Sequence, residues 1–430
     1  MTKSIAIIGT LDTKGVEGDY LRDQIMTLGH TPILIDVSLR NHISETVRAD
    51  IPNDKVAMES GVSIDEIADE ERGQAMELMI KGASKVVQRL CESGKIHGVI
   101  GYGGSVGLAI ASSVMKPLAF GFPKVIVTTI VGAAGKYIEA KDIVLVPSIT
   151  DLAGGERINR IEAITLANAA AAICGMVNAA PKLPSEKPLI AMSQFGVTTQ
   201  HVQKAKEILE SRGYEVIAFH AVGTGGRSLE ELVRTGAVVG VLDVTTHEIV
   251  DELVGGVYGA GSDRLETAGQ RGIPQVILPG ALDMVNFFEP DTVPEIFKDR
   301  LFYHHNPKVT LMRTTVDESR ELGKIIARKV NKAKGPTAVI MPGSGWSEYD
   351  KKGSVKAVDY HGNATGQSWY DAEAGATFVN SLRGHVDRSN PHVAIIMTGY
   401  HINDPKLATI SASILDDMIK GKWTQANSYG

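Results

Sequence analysis

The sequence predicts an α/β protein built from two Rossmann-like domains, each with a mostly parallel sheet covered by helices. Three observations lead there. Short β-branched runs alternate with longer amphipathic segments along the whole chain, the pattern of parallel strands joined by helical crossovers. The chain has 430 residues, more than one ordinary core holds. Midway, APKLPSEKP at 180–188 carries three prolines and no periodicity, which reads as an extended linker, after which the pattern restarts. The expected division is a domain over 1–180, a linker over 181–188 and a second domain over 189–430.

In the first half, residues 4–8, 32–36, 98–101, 124–128 and 142–147 read as strands. Residues 16–28 form a helix that ends at Gly29, and helices are expected over 70–90 and 159–177. Residues 40–63 are polar and irregular and match no element. Strands are expected in the second half at 189–193, 215–220, 237–243, 275–278, 338–341 and 392–398. Both halves begin with strand, helix, glycine (Gly29 or Gly213) and a second strand, which suggests an internal duplication or the common likeness of βαβ units. Residues 354–375, rich in Gly, Asp and aromatic residues, read as a long loop or a small hairpin.

Composition narrows the function classes. Hydrophobic residues make up 43% and charged residues 22%, and the formal charge is −6 with Lys and Arg scattered. This is the balance of a globular chain, without the basic surface that nucleic acid or an anionic membrane requires. The two cysteines, Cys91 and Cys174, offer no disulfide framework and suit a reducing compartment. MTKSIAIIGT opens as a strand rather than a signal peptide, and no uncharged apolar run reaches membrane-spanning length, so a cytoplasmic location is expected.

Three glycine-rich loops follow strands of the first half, the position at which open α/β sheets bind ligands. Gly9-Thr10-Leu-Asp-Thr-Lys14-Gly15 has the ingredients of a phosphate loop without the Gly-x-x-x-x-Gly-Lys spacing, and reads equally as a tight turn with a solvated lysine. Gly101-Tyr-Gly103-Gly104-Ser105 precedes a helix, so backbone N–H groups and the helix end could meet an anion; such glycines also serve close packing. Thr128-Thr129-Ile-Val-Gly132 repeats the arrangement on the next strand. Arg72 is a candidate phosphate clamp or part of a solvated helix face. Asp151 could hold Mg²⁺ or a ribose, or cap a turn. Asp36 ends the second strand where a ribose-binding carboxylate would sit, although the Gly-x-Gly-x-x-Gly fingerprint is missing.

The second half concentrates side chains that do chemistry. Gly225, Gly226 and Arg227 pair glycine N–H groups with a guanidinium, a carboxylate or phosphate site. His247 and Glu248 follow one strand, Asp283 and Asn286 another, and His304 and His401 with Asn403 lie in two further loops. His247, Glu248, Asp283, His304 and His401 are the candidate acid/base or metal groups, against the ordinary alternative of hydrogen-bonded loop residues. No His-x-x-x-His helix is present, so a second metal stays undecided. Gly343-Ser-Gly-Trp-Ser347 only loosely resembles a nucleophile elbow.

Several longer strings bear on identity: Gly9-Thr-x-Asp12-Thr13-Lys14, Gly101-Tyr-Gly-Gly-Ser105, Pro147-Ser148, Gly240-Val-Leu-Asp243-Val-Thr-Thr246, Gly280-Ala-Leu-Asp283-Met-Val-Asn286-Phe, Leu311-Met-Arg313-Thr-Thr315 and Tyr400-His-Ile-Asn-Asp404. With these the chain resembles, over essentially its whole length, the tomato mosaic virus resistance protein-like ATP-binding domain family. The resemblance implies two Rossmann-like domains, ATP with Mg²⁺ in the first, and a homodimer. It places Lys14, Arg72, the loop with Gly101, Gly103, Gly104 and Ser105, and the loop from Thr129 to Gly132 at the phosphates; Thr10 and Asp151 join them as nucleotide candidates from their own loops. Around Thr129–Gly132 and residues 151–156 the chain departs from the plant pattern.

Three functions are therefore carried forward. The first is an ATP-binding protein, extended to an ATP-dependent enzyme acting on a small acid at the interdomain cleft, with Gly225, Gly226, Arg227, Asn286, Arg313 and Asn403 as substrate contacts. The second is a metal-assisted hydrolase, lyase or isomerase in the second domain with nucleotide as regulator. The third is a nucleotide-regulated interaction protein without chemistry.

Overall fold

Strands of a parallel sheet lie beneath helices on both sides, so the inner ones must be apolar on both faces, and those of this chain are buried on both. The computed structural model describes residues 2–40, 47–139, 141–152, 157–179 and 186–424. It divides into two compact units, Met1–Lys182 and Leu183–Gly430. Residue 180, residues 181–185 of the expected linker and residues 153–156 lie outside the described residues, as do 41–46 of the irregular segment.

In the first unit β1 (Ser4–Gly9), β2 (Thr31–Asp36), β3 (Gly98–Gly103), β4 (Lys124–Thr128) and β5 (Val144–Pro147) form one parallel sheet, in the order β2-β1-β3-β4-β5. Alternate residues of β1 serve opposite faces. Ile5 and Ile7 pack with Leu21, Ile25 and Leu166, whereas Ala6 and Ile8 pack with Met79, Val86 and Leu108. Each such large side chain contributes about 1.5–3 kcal/mol by leaving water. The helix Arg160–Asn178 is long and apolar enough to cross a membrane by length and composition alone. Here Leu166, Ala169, Ala170, Ile173 and Val177 pack it into the core instead.

The irregular segment resolves where it is described. Ile51 bridges Ile35 at the sheet edge, and short helices Asn53–Ser60 and Ile64–Asp69 follow. Ser63 starts the second with a capping box to Glu66. These helices are eight and six residues long, too short to show a clear helical period in sequence.

The second unit contains β6 (Leu189–Gln194), β7 (Glu215–His220), β8 (Val238–Thr245), β9 (Gln275–Gly280), β10 (Met284–Phe287), β11 (Phe302–Asn306), β12 (Val309–Arg313), β13 (Thr337–Met341), β14 (Lys356–Val358), β15 (Ala364–Ser368) and β16 (Val393–Met397). Six of them make a parallel sheet, β16-β13-β9-β8-β6-β7. The remaining five form an antiparallel sheet, β10-β12-β11-β14-β15. Sequence reasoning anticipated only the hairpin of this second sheet, within 354–375. Its strands are three to five residues long, and the pairings of β10 with β12 and of β11 with β14 join strands that are not consecutive.

The two parallel sheets repeat one order: in each, the first strand lies between the second and the third.

Gly101 lies inside β3, where an added β-carbon would overlap the methyl of Ala111 on the following helix. Gly101→Ala is therefore expected to lower stability by about 1–3 kcal/mol through overpacking, read as a shift of the urea midpoint. An unchanged midpoint would show that the helix is not seated this closely.

Candidate functional site

The chain leaves β1 for β2 on one side and later returns to β3 on the other, so the crossovers diverge and a crevice opens at the carboxyl ends of β1 and β3. A cavity of about 590 Å³ occupies it. Thr10, Lys14, Arg72, Gly104 and Ser105 all line this cavity, which brings together five of the ten residues expected at a nucleotide. Thr129 borders it: its Oγ1 would lie 3.7 Å from a β-carbon on Gly104. Gly101 and Gly103 instead form the end of β3. Gly103 adopts φ +143° and packs against Gly107, a conformation and a closeness that only glycine combines readily. Gly132 and Asp151 are exposed and do not line the cavity.

Lys14 is positioned by its own backbone. The helix Leu11–Thr27 breaks there, at φ −138° and ψ 37°. The Lys14 carbonyl accepts the hydroxyl of buried Tyr102 at 2.9 Å. The Tyr102 ring sits in the space left by Gly9 and Gly18, where any β-carbon would meet it. The Lys14 ammonium donates to the Leu152 carbonyl. Across the crevice, the helix Ser105–Met115 begins at Gly104 with no side-chain cap. Its first N–H groups therefore present a partial positive charge to the cavity.

Arg40 also lines the cavity, and sequence reasoning missed it. The available signal was its position four residues beyond the end of β2. Its carbonyl accepts Asn53 Nδ2 at 2.9 Å, which fixes this turn to the next helix. Asp36 spends its Oδ1 on the turn after its own strand. It is buried, accepts the Leu11 and Ser38 N–H groups at 3.2 and 2.9 Å, and has its pKa raised chiefly by burial.

In the second unit the structure separates the expected acid/base residues. Glu248 is buried and accepts the N–H groups of Gly223 (2.7 Å) and Gly226 (3.0 Å), while Arg264 Nε donates to it at 2.8 Å. Arg264 is itself only 1% exposed and pairs with Asp243 and Glu230 as well. Gly225 and Gly226 are packing glycines. A β-carbon on the first would overlap the His220 carbonyl, and one on the second would overlap the Glu248 carboxylate. Arg227 donates to the Gly259 carbonyl at 3.0 Å. Glu248, Gly223, Gly226 and Arg264 thus hold one another, whereas Arg227 Nε is buried without a hydrogen-bond partner among the described residues.

Asp283 and His401 do come together, on opposite sides of Ser347. Ser347 Oγ and Trp369 Nε1 each donate to Asp283 Oδ2 at 2.8 Å. His401 Nε2 donates to the Ser347 carbonyl at 3.0 Å, and its Nδ1 accepts the Asn403 N–H at 3.2 Å. Both ring nitrogens are thereby used. Arg313 is buried between the Asp283 carbonyl (2.9 Å), the Trp369 carbonyl (2.7 Å) and Asp350 (3.4 Å). Burial and neighbouring Asp283 push the Asp350 carboxyl up. Ser347 accepts the N–H groups of Tyr349 and Asp350, so its hydroxyl organises a turn. Asn403 Nδ2 donates to the Val197 carbonyl at 2.9 Å. His304 is exposed on β11, apart from the others. Among the described residues no group of three or more His, Cys, Asp or Glu side chains is placed to hold a metal ion.

Residues 3–182 match the uncharacterised protein family UPF0261 N-terminal domain, and residues 187–419 match its C-terminal domain. The chain belongs to this family. A UPF0261 protein of Clostridium tetani is 45% identical over 98% of this chain and 100% of its own length. The ToMV resistance protein Tm-1(GCR237) of Solanum lycopersicum is 38% identical over 78% of this chain, a match that spans 43% of the tomato protein. Among solved structures, UDP-GlcNAc 2-epimerase from Neisseria meningitidis bound to UDP-GlcNAc aligns over 89% of this chain and 100% of that one, at 9% identity and a TM-score of 0.25.

Asn286 donates its backbone N–H (2.9 Å) and its Nδ2 (3.2 Å) to Asp251 Oδ1, and Tyr258 N–H donates to Oδ2 at 3.0 Å. Despite these donors, burial lifts the Asp251 pKa to about 7. An unfolded aspartate titrates near 3.9. The native chain therefore holds the extra proton between about pH 4 and 7, and stability falls as pH rises through that window. Asp251→Asn should flatten the decline of the urea midpoint between pH 5 and 7.5. An equally steep decline in the variant would contradict this assignment.

Proposed function

We propose that the first unit binds a nucleoside triphosphate, ATP with Mg²⁺, in the crevice between β1 and β3. One observation carries the reading: Lys14, Arg40, Arg72 and the uncapped start of the helix Ser105–Met115 line the same cavity. Three cations and a helix N-terminus oppose the charge of a polyphosphate chain without a Walker lysine. Leu39, Ile67, Ala68 and Val106 supply apolar wall to the same cavity, a surface suited to a base. The family resemblance points to the same ligand.

The donor set also fits the metal. Asp12, Thr10 and Thr13 line the cavity beside Lys14, and Glu70 lines it too. These are the hard oxygen ligands that Mg²⁺ takes alongside phosphate. When bound, the ion would neutralise phosphate charge. The chain's own part is to cradle the phosphates with N–H groups and to hold Lys14 in place through the Tyr102 hydroxyl.

Titration calorimetry with ATP and Mg²⁺ tests this. A charge-assisted hydrogen bond is worth about 1.5–3 kcal/mol, so Lys14→Ala and Arg72→Ala should each weaken binding roughly tenfold to a hundredfold. Equal affinity of wild type and Lys14→Ala would overturn the site.

A further inference from the structure

The second parallel sheet has a switch point of its own, between β6 and β8, and its chemistry differs from that of the first. His247 lies two residues beyond β8 and Phe195 follows β6 directly. Their rings lie 4.3 Å apart between centroids. Tyr258 stands edge-on to His247 at 6.3 Å, and Phe288, 47% exposed, continues the row. His220, at the end of β7, stands 5.6 Å from the Phe195 ring. Partly exposed aromatic rings thus cover a histidine with no exposure at all.

Neither ring nitrogen of His247 has a hydrogen-bond partner among the described residues. A buried polar group without a partner is costly and calls for a reason. His201 shows the ordinary solution: equally buried, it bonds the Ile402 carbonyl at 2.7 Å and Ser411 Oγ at 2.9 Å. Burial, Arg264 and His220 push the His247 pKa down to about 3. The imidazole is therefore neutral, with one N–H donor and one lone pair to offer. The shell beneath it holds no spare positive charge, because Arg264 is met by Asp243, Glu248 and Glu230. An uncharged ligand suits it best.

We propose that the second unit carries its own ligand site at the carboxyl ends of β6 and β8, where a small planar aromatic or heteroaromatic molecule with a hydroxyl or carbonyl group bonds His247 and stacks on Phe195 and Tyr258. Phe195 is the cover. Its backbone is fixed by Thr198, whose Oγ1 accepts the Phe195 N–H at 3.3 Å. Gly196 beside it has open space around it. Entry of the ligand requires the Phe195 side chain to turn off the imidazole.

The test uses the full chain with ¹⁵N-labelled histidine rings, and phenol as a planar hydroxyl probe beside cyclohexanol, which is similar in size but not planar. Phenol should shift the His247 ring resonances saturably, with at least tenfold higher affinity than cyclohexanol. His247→Phe, which fills the same space without polar atoms, should keep or raise the thermal midpoint and bind phenol at least tenfold more weakly. Three outcomes would each overturn the proposal. They are no saturable shift, unchanged phenol affinity in His247→Phe, or a lowered midpoint in that variant, which would mark His247 as a structural group bonded to internal water.

Discussion

A parallel sheet whose first strand lies in its interior has to reverse direction beside that strand, and this constraint organises both halves of the chain. In the order β2-β1-β3-β4-β5, the crossovers on the two sides of β1 pack on opposite faces. The helices diverge there, and their starts and the adjoining loops surround a crevice that core side chains cannot reach. The second parallel sheet obeys the same geometry around β6. What differs is the filling. The first crevice is open and lined with cations, whereas Phe195 lies across the second with an unpartnered imidazole beneath it.

Around these crevices, much of the polar sequence is spent on holding loops. Arg264 shows this most clearly. Three carboxylates from three segments converge on one buried guanidinium, and two of them also accept backbone N–H groups, Glu248 from Gly223 and Gly226, and Glu230 from Leu265 and Thr267. Such an assembly is weak evidence of net stabilisation, since desolvation offsets the attraction. Removing one member, however, would strand buried charge, so the loop geometry is tightly specified. The Asp283, Ser347 and Trp369 contacts and the Arg313 hub do the same for the antiparallel sheet.

Much of this was legible in the sequence. The strands of both parallel sheets are short, mostly apolar runs, and each lies within a few residues of where the sequence puts it. Lys14, Arg72 and the Gly104–Ser105 turn were recognised because phosphate chemistry needs cations and N–H groups at strand ends. Arg40 was not, because it lies in a polar stretch without periodicity and reaches the cavity only through the turn after β2. Glu248, Gly225 and Gly226 have the residue types of a site, but their partners are distant in sequence. Residue type cannot distinguish a carboxylate that awaits a substrate from one already paired with Arg264. The antiparallel sheet escaped for a similar reason, since its short strands owe their form to one another.

The central claim is that the β1/β3 crevice holds the nucleotide. Hydrogen–deuterium exchange on the full chain, with and without ATP and Mg²⁺, tests it most directly, because ligation slows local opening of the backbone that it contacts. The account predicts added protection in peptides spanning residues 9–15, 70–76 and 103–109, with the second unit unchanged. Protection confined to the second unit, or none in these three segments at saturating ATP, would contradict it.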